Sequence, residues 1–174
     1  MRILLTGGSG SGKSTFGEAL AARLPKPRTY IATMRPFEGE SEEKILRHQF
    51  QRADKGFSTI ERETDLSGLR LPACKTVLLE CVCNLAANEM FDEAGNIRPG
   101  AEEAILSGIE TLSQQCETLI VVTNDVGSDG GGYDESTMRY VDLIGRVNRE
   151  LASRFDCVCE LVCGIPLVLK GFLP

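Results

Sequence analysis

The stretch Gly7-Gly8-Ser9-Gly10-Ser11-Gly12-Lys13-Ser14 places four glycines in six positions directly ahead of a lysine and a hydroxyl residue. Glycine lets a backbone take positive φ and curl around a polyanion without Cβ clashes. The amide N–H groups of such a turn point inward, and the helix it opens adds the positive end of its dipole. The spacing G-x-x-x-x-G-K-S is that of a phosphate-binding loop: Lys13 would reach the β/γ-phosphates of a nucleotide, and the Ser14 hydroxyl would ligate Mg²⁺. A flexible Gly/Ser linker would have no reason to lie between the apolar run Ile3–Leu5 and the helix-like run that begins at Phe16.

A phosphate loop that works with Mg²⁺ needs a carboxylate at the end of a neighbouring apolar strand. In "VLLEC", Glu80 follows three apolar residues, where a carboxylate without a partner would be costly. A cation or its water shell would be such a partner, although a solvated strand end also fits. Asp125, closing "VVTND", is a second candidate. The single histidine, His48, lies in "SEEKILRHQFQR". There the spacing predicts a helix over 41–52, capped by Ser41 and with Arg52 in its last turn. Ile45, Leu46 and Phe50 form its apolar stripe, and His48 points about 140° away from it. Between Arg47 and Arg52, an imidazole could serve as base or as nucleophile toward phosphorus. From the residues alone an ordinary surface histidine is the simpler reading.

The elements that must position these groups alternate. Strands are predicted at 3–6, 29–33, 76–81, 119–124 and 157–163, with a weaker one at 58–61 and an edge strand at 167–169 after Pro166. Helices are predicted at 13–23, 41–52, 83–91, 100–115 and 135–154. Near-continuous apolar strands between helices indicate an α/β fold with a mostly parallel central sheet flanked by helices. The polar loop 127–133, "GSDGGGY", reads as mobile, at a strand end where open α/β sheets bind ligands.

At 174 residues the chain is expected to form a single domain over 1–174. Its net charge of −6 argues against a nucleic-acid surface. No apolar run approaches the roughly 18 residues of a membrane span. Met1-Arg2 leads straight into the first strand, so no signal peptide and a cytoplasmic location are expected. The seven cysteines are spaced Cys81-x-Cys83 and Cys157-x-Cys159-x₃-Cys163, with Cys74 and Cys116 apart, unlike paired zinc ligands. They are expected to be small core residues, with 157, 159 and 163 facing one way. The guanine-reading "NKxD" tetrad of a GTPase is absent from the sequence. These features alone define a Mg²⁺-dependent nucleotide enzyme or switch.

Several stretches occur together and in order: "ILLTGGSGSGKS" at 3–14, "YIAT" at 30–33, "RHQFQR" at 47–52, "LLEC" at 78–81, "VTNDVG" at 122–127, "GRVNRELA" at 145–152 and "GIPLVLKG" at 164–171. Over nearly the whole chain this pattern resembles the bifunctional adenosylcobinamide kinase / adenosylcobinamide-phosphate guanylyltransferase family of cobalamin biosynthesis. The resemblance implies a P-loop nucleotide-binding fold and two activities. ATP or GTP phosphorylates the hydroxyl of adenosylcobinamide, and GMP then passes from GTP through a guanylylated histidine to give adenosylcobinamide-GDP. His48 matches that histidine. The nucleotide contacts implied are Gly7, Gly8, Ser9, Gly10, Ser11, Gly12, Lys13 and Ser14; Ala32, Thr33 and Met34; Gln49, Phe50, Gln51 and Arg52; and Glu61 and Glu80. A homo-oligomer, a trimer, is also implied. The alternatives are a single-activity kinase of another small alcohol and a non-catalytic nucleotide switch.

Overall fold

The computed structural model describes residues 1–35, 55–127 and 132–174. The predicted helix at 41–52, with His48, Gln49, Phe50, Gln51 and Arg52, lies outside them, as does most of the 127–133 loop. The elements are β1 (Arg2–Thr6), α1 (Lys13–Arg23), β2 (Arg28–Ala32), β3 (Phe57–Glu61), a 3₁₀ turn (Leu66–Gly68) and β4 (Thr76–Glu80). There follow α2 (Val82–Met90), α3 (Ala101–Ser113), β5 (Thr118–Val122), α4 (Glu135–Arg154), β6 (Cys157–Val162) and β7 (Ile165–Lys170).

The strands form one sheet of seven in the order β3-β2-β4-β5-β1-β6-β7. All neighbours are parallel except β6 and β7. Side chains alternate across a strand, and both faces are used. Leu4, Ile31, Val77, Leu79, Leu119 and Val121 pack with α2, α3 and α4. Ile3, Leu5, Tyr30, Leu78, Ile120 and Val122 pack on the other face with Leu20 and Ala21 of α1. This double covering explains the uninterrupted apolar strands. Gly17 lets α1 approach closely, since a Cβ there would sit 3.2 Å from Leu5 and 3.4 Å from Leu78. α4 is held by Leu143, Ile144, Val147 and Leu151 on one face and capped by Asp134, whose carboxylate accepts from the Thr137 amide. Hydrogen bonds from the hydroxyls and amides of Ser136 and Thr137, the Ser136 hydroxyl first, lower the Asp134 carboxyl to a pKa of about 2.

Two expectations are corrected. Cys157 and Cys159 are buried in the α1-side core, but Cys163 is exposed. The strand ends at Val162, and Cys163 enters the turn with φ 51°, so the alternation stops before it. β7 begins at Ile165 and contains Pro166 rather than starting after it. An edge strand tolerates a residue with no N–H, and β7 pairs with β6 on one side.

Candidate nucleotide site

The carboxyl ends of the parallel strands converge where β1 runs into the glycine loop. Gly7 has φ 138°, and a Cβ on it would lie 2.5 Å from the Leu161 carbonyl oxygen. Gly12, at φ 93°, caps α1 in the left-handed conformation that a side chain resists. The loop leans on the β6–β7 turn: the Gly164 amide donates to the Ser11 carbonyl at 2.9 Å. On its other flank the Asp125 amide donates to Gly7 O at 3.1 Å. Asp125 therefore borders the loop through its backbone, with the residue itself exposed.

Lys13 is the first residue of α1 and is 6% exposed. Its ammonium donates to the Gly8 carbonyl at 2.6 Å and lies 3.4 Å from Ser11 Oγ. Burial lowers its pKa from the ordinary lysine value, with Cys81, Cys83 and Glu80 opposing the shift. The adjoining Cys81 thiol is pushed up to about 11, chiefly by burial, and stays protonated at neutral pH.

One residue further along α1, the Ser14 hydroxyl donates to Oε1 of Glu80. The loop and the strand-end carboxylate, separated by 66 positions in sequence, thus meet. Oε2 of Glu80 accepts from the Tyr30 hydroxyl at 3.1 Å. A hydroxyl and a carboxylate oxygen side by side beneath a phosphate loop are hard donors of the kind Mg²⁺ takes, with the substrate's phosphates and water completing its shell. The residues present fit that cation.

β2 lies between β3 and β4, and Ala32 pairs with Glu61 on one side and with Glu80 on the other. Register partners share a face. Two strand spacings put the Glu61 and Glu80 backbones about 10 Å apart, one on each side of Ala32. Met34, 51% exposed, stands beyond Ala32 at the same edge.

Thr33, expected as a nucleotide contact, lies just past the end of β2. It is fully buried, its hydroxyl donates to Cys81 O and accepts from Cys81 N, both at 2.8 Å, and its amide donates to Glu80 O. Its carbonyl accepts from Asn88 Nδ2 at 2.8 Å. Through these bonds Thr33 braces the end of β4.

Two features were missed in the sequence. Tyr30 is one, because a tyrosine in mid-strand reads as core. The support of the loop by the β6–β7 turn is the other, since Gly164 carries no mark of its partner. A hollow of about 820 Å³ lined by Met90, Arg98, Leu106, Arg139, Leu143 and Arg146 lies on the helix-covered face opposite α1. It contains none of the predicted nucleotide residues.

Glycine loop, buried lysine, and serine paired with a strand-end carboxylate define a P-loop nucleotide-binding α/β protein. Solved structures agree on the fold. The flagellar accessory protein FlaH of Methanocaldococcus jannaschii superposes with a TM-score of 0.55 at 12% identity, covering 98% of this chain and 78% of that one. A prototypical ATPase from the type III secretion system of pathogenic bacteria gives 0.54 at 13% identity, covering 92% and 50%. Sequence comparison is more specific: the family "Cobinamide kinase / cobinamide phosphate guanyltransferase" matches residues 3–169. Curated relatives include the bifunctional adenosylcobalamin biosynthesis protein CobU of Escherichia coli, 33% identical over 98% of this chain and 100% of that protein. CobP of Pseudomonas aeruginosa, of the same description, is 31% identical over 98% of each. The chain belongs to the cobinamide kinase / cobinamide phosphate guanylyltransferase family and is a transferase of cobalamin biosynthesis.

Proposed function

We propose that this chain carries out both family reactions at one nucleotide site: phosphorylation of adenosylcobinamide with ATP or GTP, then transfer of GMP from GTP through His48. The observation that carries the reading is the meeting of Ser14 and Glu80 beneath the glycine loop, in a chain that matches the family over residues 3–169.

In the first step the substrate hydroxyl attacks the γ-phosphorus and loses its proton to solvent, the bond to the bridging oxygen breaks, and the nucleoside diphosphate leaves. Lys13, turned from Gly8 to the β/γ-phosphates, offsets charge on the transferring group. Ser14 and Glu80 would hold Mg²⁺, which would supply charge neutralisation at the phosphate oxygens. In the second step an imidazole nitrogen of His48 attacks the α-phosphorus of GTP and pyrophosphate leaves. The substrate's phosphate oxygen then attacks the same phosphorus, and the imidazole is released. A covalent intermediate divides one hard displacement into two easier ones. In this reading Ala32, Thr33, Met34, Gln49, Phe50, Gln51, Arg52 and Glu61 contribute to binding the nucleotide. The enzyme works in the cytoplasm as a homotrimer on small molecules, with no nucleic-acid partner.

Incubation with α-labelled GTP tests the histidine step. The protein should acquire acid-labile, alkali-stable label, lost in His48→Ala, while that variant still phosphorylates adenosylcobinamide. A wild-type protein that never becomes labelled overturns the guanylyl-histidine route. A phosphorylated product without label would make the chain a kinase alone.

A further inference from the structure

We propose that Tyr30 is a positioning residue for the cation site, its hydroxyl holding Oε2 of Glu80 so that Oε1 stays at the Ser14 hydroxyl. The inference rests on the reading that Ser14 and Glu80 hold Mg²⁺.

Tyr30 is central in β2 and pairs with Leu78 of β4. Glu80 is two residues beyond Leu78 and so projects from the same face as Tyr30. The long tyrosine side chain spans that offset, and its hydroxyl reaches the carboxylate at 3.1 Å. The ring itself is fixed. It is 8% exposed and meets Phe57 of β3 edge to face, with centroids 6.1 Å apart and planes at 83°. Phenylalanine would fill the same space against Phe57, Leu78 and α1. The hydroxyl is therefore not what fills the space, and its bond to Glu80 bears on the carboxylate.

A carboxylate on a strand end can turn about its last torsion, which is broad. With Ser14 at one oxygen and Tyr30 at the other, the plane of the Glu80 carboxylate is set from both sides. The two contacts differ in what a cation does to them. If Ser14 and Glu80 hold a cation, the serine's hydrogen bond to Oε1 would be given up, whereas the Tyr30 bond is made to the other oxygen, Oε2. Tyr30 thus acts on the cation through Glu80, as groups hydrogen-bonded to metal ligands do elsewhere.

Tyr30→Phe removes the hydroxyl and keeps the ring. The measurement is binding of fluorescent mant-GTP to the full chain, in EDTA and across a Mg²⁺ titration, with the nucleotide-free melting temperature recorded alongside. The Mg²⁺ concentration for half-maximal enhancement should rise about tenfold, with affinity in EDTA and melting temperature unchanged. Glu80→Gln should shift the Mg²⁺ dependence at least as far, and Tyr30→Phe added to it should shift it no further. If Glu80→Gln shifts the titration and Tyr30→Phe does not, the positioning role is overturned while the cation site stands. If neither shifts it, both are overturned. Additive effects of the two substitutions, or a fall in melting temperature that accounts for the loss, would make Tyr30 a packing residue and also overturn the role.

Discussion

The Lys13 ammonium donates to the carbonyl of Gly8, five residues back in its own loop, at 2.6 Å. The loop's one cation thus neutralises the loop's own backbone until a phosphate competes for it. Lys13→Met should lower kcat/KM in both half-reactions by about 100- to 1000-fold, the range for losing one preorganised charge donor. Steady-state kinetics of kinase and guanylyltransferase turnover check this.

The same lysine sets a pH dependence. Burial lowers its pKa, so the folded chain releases this proton before the unfolded chain does as pH rises. Lys13 therefore costs stability at neutral pH, and the cost is relieved between the lowered pKa and the ordinary lysine value. A bound triphosphate favours the charged form and raises the pKa again. Nucleotide binding should take up a proton in that alkaline window, and affinity should weaken as pH rises through it. Calorimetry in buffers of different ionisation enthalpy measures the uptake, which Lys13→Met should abolish.

Stability should depend on a polar contact beneath the β5 end. Thr123 is fully buried and donates to Asn148 Oδ1 at 2.7 Å, while Asn148 Nδ2 donates to the Asn124 carbonyl at 3.1 Å. Asn148→Ala leaves the threonine hydroxyl buried without that acceptor, which costs about 1–3 kcal/mol. Urea unfolding should show the loss as a lower midpoint. Nucleotide KM should change little, because neither side chain faces the loop.

Assembly should depend on β7. Ile165, Leu169 and Phe172 are 62%, 63% and 73% exposed, an apolar strand and tail on the outer edge of the sheet. Such an edge invites association. The homotrimer proposed above should sediment as a trimer, and Leu169→Glu should reduce its mass in analytical ultracentrifugation. A wild-type monomer at micromolar concentration would overturn the assembly.

The phosphate loop was legible because backbone geometry dictates its residues: positive φ at Gly7, Gly10 and Gly12 leaves little choice but glycine. Glu80 was legible because a carboxylate closing an apolar run is costly without a partner. The central strands and α1 and α4 followed from unbroken apolar runs and helical spacing. What was missed has two causes: partners far apart in sequence, and the local end of a strand. Tyr30 looks like core until Glu80 reaches its hydroxyl. Cys163 keeps the parity of Cys157 and Cys159, yet the strand that would make parity meaningful has ended.

The bond from Gly164 to Ser11 ties the grip on the triphosphate to the antiparallel hairpin at the sheet's margin. β1, which feeds the glycine loop, is also flanked by β6, so it lacks a neighbour until that late strand docks. During synthesis the anion cradle is written early and lacks its bond from Gly164 until residues far downstream have emerged and folded back. Only a sheet complete through its β6–β7 margin gives the loop both of these backbone supports.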